Sequence, residues 1–571
     1  MGLSSADAKA ALKSEEAQED TYSGEVVFLY SSKIDGNVDV VSVCELLSAS
    51  EMFSFALDDH GRIYFRENGR LRTKLLGIET TLSEMGMTIS GHSDFIRANP
   101  GDSNVYSLSR SLNLLLSGKK LFNTAFGFPA ESARIFMRPI AIRAEGGDDY
   151  EMLVPYVRVY AGGIISIALS SVFGFESSTA REVVETEVNK SRRNISSVLC
   201  EKEFHLACTE CQVSQMPIQE RLAQKKTFET TVESALNSPE ELTFLDESLT
   251  VYELLSTDQF TLTDLARNLL SVVTRAVTCG AVRARINWLG RQYRNESIGE
   301  YWHGKPILFI GKHTGQKESS AENWAAHKRL VNSVMSRTYL ADIARYEALA
   351  HVDLRSYDDF SNFYSEAVSL MLSTAQVESF IEQNNSYTFN SLTSDVQVLN
   401  EASHYIQIYY SYASLGIDKC KTAIDVARLE LKILKFEESL ISAHKYGEIA
   451  RYIDEVRRGE HLNTICKLLH KKIETVRKAL ELDEKVLSES YTRRITIIFG
   501  IIASATLSPE LVQPLAKYYG FNFADEQVNK LIGIGVSVVA VIVFLTSIHY
   551  ALRSFKSVSY THLTLPTSDL V

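Results

Sequence analysis

Leu531 to Leu552, LIGIGVSVVAVIVFLTSIHYAL, runs for 22 residues without an Asp, Glu, Lys or Arg. A helix rises ~1.5 Å per residue, so the stretch matches the ~30 Å hydrocarbon core of a bilayer. It predicts a transmembrane helix over 531–553, with Gly533 and Ser537 as a small-xxx-small pair that lets another helix come close. The segment before it is mixed. Ile495–Leu507 is apolar but short, and Ser508, Pro509, Glu510, Gln513, Pro514 and Lys517 follow. Either Ser508-Pro509-Glu510 caps a new helix at the interface, or one kinked transmembrane helix runs over 495–519. Thr506, Glu510, Gln513 and Lys517 are spaced four, three and four apart and share one helical face. That alignment favours a span whose polar face lines a pore.

Charge then sets the topology. Arg493 and Arg494 precede the first segment, Arg553 and Lys556 follow the second, and the loop 520–530 between them carries Asp525 and Glu526. The positive-inside rule places both termini in the cytoplasm of a two-span, multi-pass cell-membrane protein. Lipid is then one partner, and the preceding ~490 residues form a cytoplasmic body.

The 571 residues allow three or four structural units. Lys+Arg 59 against Asp+Glu 71 gives a net charge of −12, which argues against a nucleic-acid polymer as partner. Seven Cys are too few for a disulfide scaffold. Residues 1–24 are small, polar and acidic, and read as a disordered tail rather than a secretory or mitochondrial leader. Val558–Val571, VSYTHLTLPTSDLV, reads as a translated sequencing adapter and is set aside from fold reasoning.

Between the ends the expected fold is α+β: a mixed sheet with helices, then a long stalk helix and the two spans. Over 25–176 the short β-rich runs Glu25–Tyr30, Val38–Val43, Arg62–Phe65, Ile135–Arg143 and Val154–Tyr160 read as strands, and Gly162-Gly163 turns the chain into Ile164–Val172. Over 177–420 helical periodicity dominates, with a strand at Pro306–Gly311. Over 421–494 the chain is helical and highly charged. Leu462, Ile465, Leu469, Ile473, Val476, Leu480 and Leu487 recur at steps of three, four or seven, as in a coiled coil. Gly459 is the weak point where one long helix or two shorter ones must be decided.

Tyr519-Gly520-Phe521-Asn522 stands between the two apolar segments. It resembles the Tyr-Gly-Met-Asn signature of CorA-type divalent cation channels, with Phe521 in place of Met. The order of long charged helix, apolar segment, Gly-x-Asn, acidic loop and second apolar segment is similar as well. The resemblance covers about the last hundred residues before the adapter-like tail. It implies a homopentameric channel or transporter for Mg²⁺ or another divalent cation. Tyr519, Gly520, Phe521 and Asn522 would form the selectivity mouth, Asp525 and Glu526 would concentrate cations, and Thr506, Glu510 and Gln513 would line the pore. Phe499 and Ile502 are candidates for a hydrophobic gate, and a ring of Lys517 would oppose cation passage.

Two alternatives accompany that reading. The enlarged body resembles that of CorA-like proteins associated with type III CRISPR systems, which implies a membrane effector gated by a nucleotide, for which Arg192-Arg193 is the candidate ligand site. In the other, the apolar hairpin only anchors a protein without transport activity. Cys200, His205, Cys208 and Cys211 lie within twelve residues and supply zinc-type ligands. No catalytic triad or Walker loop is present in the sequence, so neither an enzyme nor a bound cofactor is expected, the cation being cargo or regulator.

Overall fold

The computed structural model describes residues 20–34, 36–81, 86–122, 130–254, 259–283, 288, 304–340, 351–384, 387–444 and 447–520, and beyond them 527–528, 530–536, 538–539, 542–543 and 546. The chain divides into two compact units, Met1–Lys419 with Arg428–Lys472, and Cys420–Ala427 with Ile473–Val571.

The first unit opens with β1 (Thr21–Lys33), which starts inside the segment read as a tail, and α1 (Val40–Ser48). Val38–Val43 was expected as a strand. Asp39 instead accepts from Val41 N at 3.2 Å and caps the helix, and Val40, Val43, Cys44 and Leu47 bury one face of it. Next come β2 (Phe53–Asp58), β3 (Arg62–Glu67), β4 (Arg70–Leu75), β5 (Gly77–Thr81), β6 (Gly86–Ser90), α2 (Ser93–Ala98) and α3 (Asp102–Leu121). Then follow β7 (Ser132–Met137), β8 (Ile140–Ala144), β9 (Glu151–Tyr160), β10 (Ile164–Ser171), β11 (Phe175–Thr179) and β12 (Ile195–Cys200). After α4 (Lys202–Gln215), α5 (Ile218–Leu236), β13 (Glu240–Phe244), β14 (Glu247–Glu253) and α6 (Leu262–Cys279), the chain enters β15 (Lys305–His313). The short helices α7 (Ser320–Ala326) and α8 (Lys328–Met335) lead to the hairpin β16 (Phe360–Tyr364) and β17 (Ser369–Ser373). Five helices close the series: α9 (Val377–Gln383), α10 (Phe389–Asp418), α11 (Ala423–Ala443), α12 (Gly447–Arg458) and α13 (Glu460–Tyr518).

All strands but β5 and β6 join one 15-stranded sheet, whose main path is β13-β14-β12-β8-β9-β10-β1-β15-β17-β16. Pairing is antiparallel except between β15 and β17. The sheet is therefore mixed, as expected, and extends through 177–420, where β12, β13, β14, β16 and β17 join the single strand anticipated there.

The two faces of this sheet differ. β1 sends Val26, Phe28 and Tyr30 to one face, where they join an apolar core with side chains of α1, α4, α6 and α8. The alternate residues Val27, Leu29 and Ser31 face the other way, the side on which α10 packs with α3 beside it. Thr388 caps α10 by accepting from Ser391 N at 3.1 Å.

The expected spans are not supported. Among the described residues no helix is long and apolar enough to cross a membrane. The segment 495–519 continues α13, which runs unbroken from Glu460 to Tyr518 through Pro509 and Pro514. Polar and charged residues, Ser508, Glu510 and Lys517 among them, dilute its apolar run. Leu531–Leu552 is described only in part, and that part forms no qualifying helix. The membrane placement, the two-span topology with cytoplasmic termini and the transmembrane transport terms fall with these helices.

Candidate functional site

Helix α13 carries the gate and pore-lining candidates, and its burial changes along its length. It begins just after Gly459, where α12 ends, so the weak point is a helix boundary. Glu366, in the turn between β16 and β17, accepts from Leu462 N through Oε1 at 3.1 Å and satisfies a donor of the first turn. Leu462, Leu469 and Ile473 are buried, Val476 and Leu480 are half-buried, and Leu487 is exposed. At 100° per residue, Tyr491, Ile495, Ile498 and Ile502 continue the same stripe at steps of four, four, three and four. Each of these five, from Leu487 on, exposes more than half of its surface.

Fully burying a Leu or Ile is worth ~1.5–3 kcal/mol, so covering this stretch would yield roughly 5 kcal/mol or more per chain. Phe499, one of the two gate candidates, is exposed on the flank of the stripe, and Ile502, the other, belongs to it. Thr506, Glu510, Gln513 and Lys517 lie in the helix, but their side chains fall outside the described residues. Tyr519 is exposed, and Gly520, at φ 82°, takes the left-handed conformation that glycine favours just after the last helical residue. Phe521, Asn522, Asp525 and Glu526 lie outside the described residues.

A second concentration of chemistry lies under α10, and sequence reading missed it. The helix buries Asp395, Gln397, Asn400, Glu401, His404 and Gln407. They meet a sheet face that is polar in turn. Glu401 Oε2 accepts from Arg134 Nη2 at 2.7 Å and from Arg158 Nη1 at 2.6 Å, and Oε1 accepts from the Tyr156 hydroxyl. Arg158 Nε donates to Ser132 Oγ at 2.9 Å, and Ser132 Oγ donates to Asp59 Oδ2 at 2.7 Å. Burial alone would raise the Glu401 pKa, but the Arg134 and Arg158 charges and the hydrogen bonds from Arg134 and Tyr156 outweigh it and hold the carboxyl at about 2. Lys120 and Arg110 of α3 extend the layer, donating to Asp395 at 2.7 Å and to Gln397 at 3.1 Å.

Farther along, His404 Nδ1 lies 3.0 Å from Ser31 Oγ. Burial, followed by the Lys305 charge, brings His404 down to about 3 against the pull of Glu401. Lys305 is fully buried, its ammonium position 3.8 Å from the Tyr364 ring centre, and burial moves its pKa well below the usual lysine value. The arrangement ties α10 to the sheet strands β1, β7 and β9 through paired polar groups.

The remaining candidates separate. Cys200, His205, Cys208 and Cys211 are buried, and the three thiols belong to the apolar core. Cys211 Sγ accepts from Arg275 Nη1 at 3.4 Å, and burial pushes the Cys208 thiol well up. Among the described residues no group of three or more His, Cys, Asp or Glu is placed to hold a metal ion. Arg192 and Arg193 are exposed in and just after a short 3₁₀ turn. The structure adds Arg337 to them: burial, then the charge of Arg192, lowers its guanidinium to about 10. No protein family, curated protein or solved structure matches the chain.

Proposed function

We propose that the protein works as a self-assembling, non-catalytic scaffold, with α13 as the assembly element. The observation that carries this reading is the apolar stripe of α13, buried at its start and uncovered from Leu487 to Ile502. A helix of 59 residues with such a stripe has the pattern that buries itself against copies of the same helix. The occupant is a second chain: the stripe continues the buried one in phase, and Arg493, Arg494, Glu489 and Glu484 beside it supply both signs of charge. Divalent-cation transport and nucleotide gating of a membrane pore both depend on the spans, and neither is part of this proposal.

Sedimentation velocity on the full chain tests it. The wild type sediments as an oligomer, and Leu487→Glu with Ile495→Glu shifts it to monomer while the urea midpoint of the body is unchanged. A wild-type chain that stays monomeric, a double variant that stays assembled, or flotation with lipid vesicles without self-association would each refute the reading.

A further inference from the structure

Helix α11 has two apolar faces, and among the described residues only one of them is buried. Val426, Ile433, Phe436, Leu440 and Ala443 are buried, with Phe436 stacked on Tyr409 of α10 at 3.8 Å between ring centres. On the opposite side stand Ile424, Leu431, Leu434 and Ile441, at steps of seven, three and seven, exposed by 62%, 53%, 53% and 67%. That spacing is the a and d pattern of a two-stranded seam, with Ile424 and Leu431 at a, and Leu434 and Ile441 at d. The start of the helix is secured locally: Thr422 Oγ1 accepts from Asp425 N at 3.1 Å, and Asp425 Oδ2 accepts from Thr422 N at 3.1 Å.

The charges beside the seam choose the partner and its direction. Arg428 and Lys435 occupy the e positions, and Glu430 and Glu437 the g positions. In a parallel pair, g of one helix faces e of the next heptad on the other, which places Glu430 opposite Lys435. In an antiparallel pair, g faces g and e faces e, so acid would meet acid and base would meet base. We infer that this face of α11 docks in parallel on the same face of α11 in a second copy of the chain. The inference rests on the assembly reading and adds to it a second seam with a defined direction. Glu438 at the next a position weakens the seam locally and, as polar a residues do, specifies register and copy number.

Charge reversal in the full-length protein tests the pairing. Glu430→Lys and Lys435→Glu, made singly, each weaken self-association about three- to tenfold in sedimentation equilibrium, and the double variant regains most of the loss. Leu431→Cys in a Cys279→Ser background forms a disulfide-linked dimer on mild oxidation, because a positions face each other in a parallel register. Singles with wild-type affinity, a double variant weaker than either single, or no crosslink in an assembled protein would overturn this seam and leave the α13 reading standing. A chain that is monomeric at every concentration would overturn both.

Discussion

The inner face of α10 and the outer faces of α11 and α13 invert the usual arrangement in opposite ways. Under α10 the protein buries charge: Glu401, Arg134 and Arg158 sit together with almost no exposure. Along α11 and α13 it exposes Leu, Ile and Tyr in regular stripes. The difference lies in completion. Each oxygen of Glu401 has its donors within the chain, so the charged centre of the buried layer is paired when the chain folds, although Arg134 Nε, Arg110 Nε, Asp395 Oδ1 and Asn400 Oδ1 around it are buried without a hydrogen-bond partner. Among the described residues the exposed stripes have no such cover, and the proposed assembly is what would release the stabilisation they hold.

The largest way to break that contrast is at Glu401. Glu401→Gln leaves two guanidiniums without their carboxylate and is expected to cost ~3–5 kcal/mol in urea unfolding, because a broken buried ion pair strands its partners. Leu487→Glu, on the outer stripe, is expected to leave unfolding within about 0.5 kcal/mol of the wild type when both are measured at concentrations low enough to be monomeric. Equal effects at the two positions would erase the distinction.

Acid sharpens it next. Burial, outweighing a hydrogen bond to Asn323, brings His313 down to about 4, and His404 stands at about 3. Unfolded, both would take a proton near pH 6.5, so below that value the unfolded chain binds more protons and stability falls. The loss runs to about pH 4 for His313 and about pH 3 for His404, at ~1.4 kcal/mol per pH unit for each. Glu401 adds to it from the ordinary carboxylate range down to about 2, since its stabilisation is present above that range and is lost as the carboxylate is protonated. Unfolding free energies measured from pH 7 to 4 should therefore slope downward, and His404→Gln should flatten the slope.

The smallest expected effect is at the helix boundary. Alanine at Gly459 gains up to ~1 kcal/mol of helix propensity, but its Cβ would stand 2.6 Å from Glu366 Oε1 and push that carboxylate off Leu462 N. Loss of such a cap costs ~1 kcal/mol, so Gly459→Ala is expected to be near neutral, while Glu366→Gln alone loses about 0.5–1 kcal/mol in thermal unfolding.

Much of the sheet was legible in the sequence because its strands are short β-branched runs. β1, β3, β9, β10 and β15 lie where EVVFLY, RIYF, VPYVRVY, IISIALSSV and PILFIG stand. Val38–Val43 misled because β-branched composition outvoted the cap residue Asp39. The first span misled because the apolar run Ile495–Leu507 outweighed Glu510 and Lys517 after it, whereas α13 passes through Pro509 and Pro514 as one helix too polar to qualify as a span. The polar layer was invisible because α10 buries residues on most of its circumference, so no polar face stands out, and Glu401 meets Arg134 and Arg158 some 250 residues away in sequence. The α13 stripe was read to Leu487, but only burial along it reveals where its cover ends.

The carboxylate of Glu366 marks where the last long helix begins. It accepts from Leu462 N, and the buried Leu469 follows two turns on along the same face. Were the start of the helix to slip by a single residue, Leu469 would swing through about 100° and lose its place in the packing. One side-chain oxygen in a tight turn thus sets the reading frame of the helix that leaves the body.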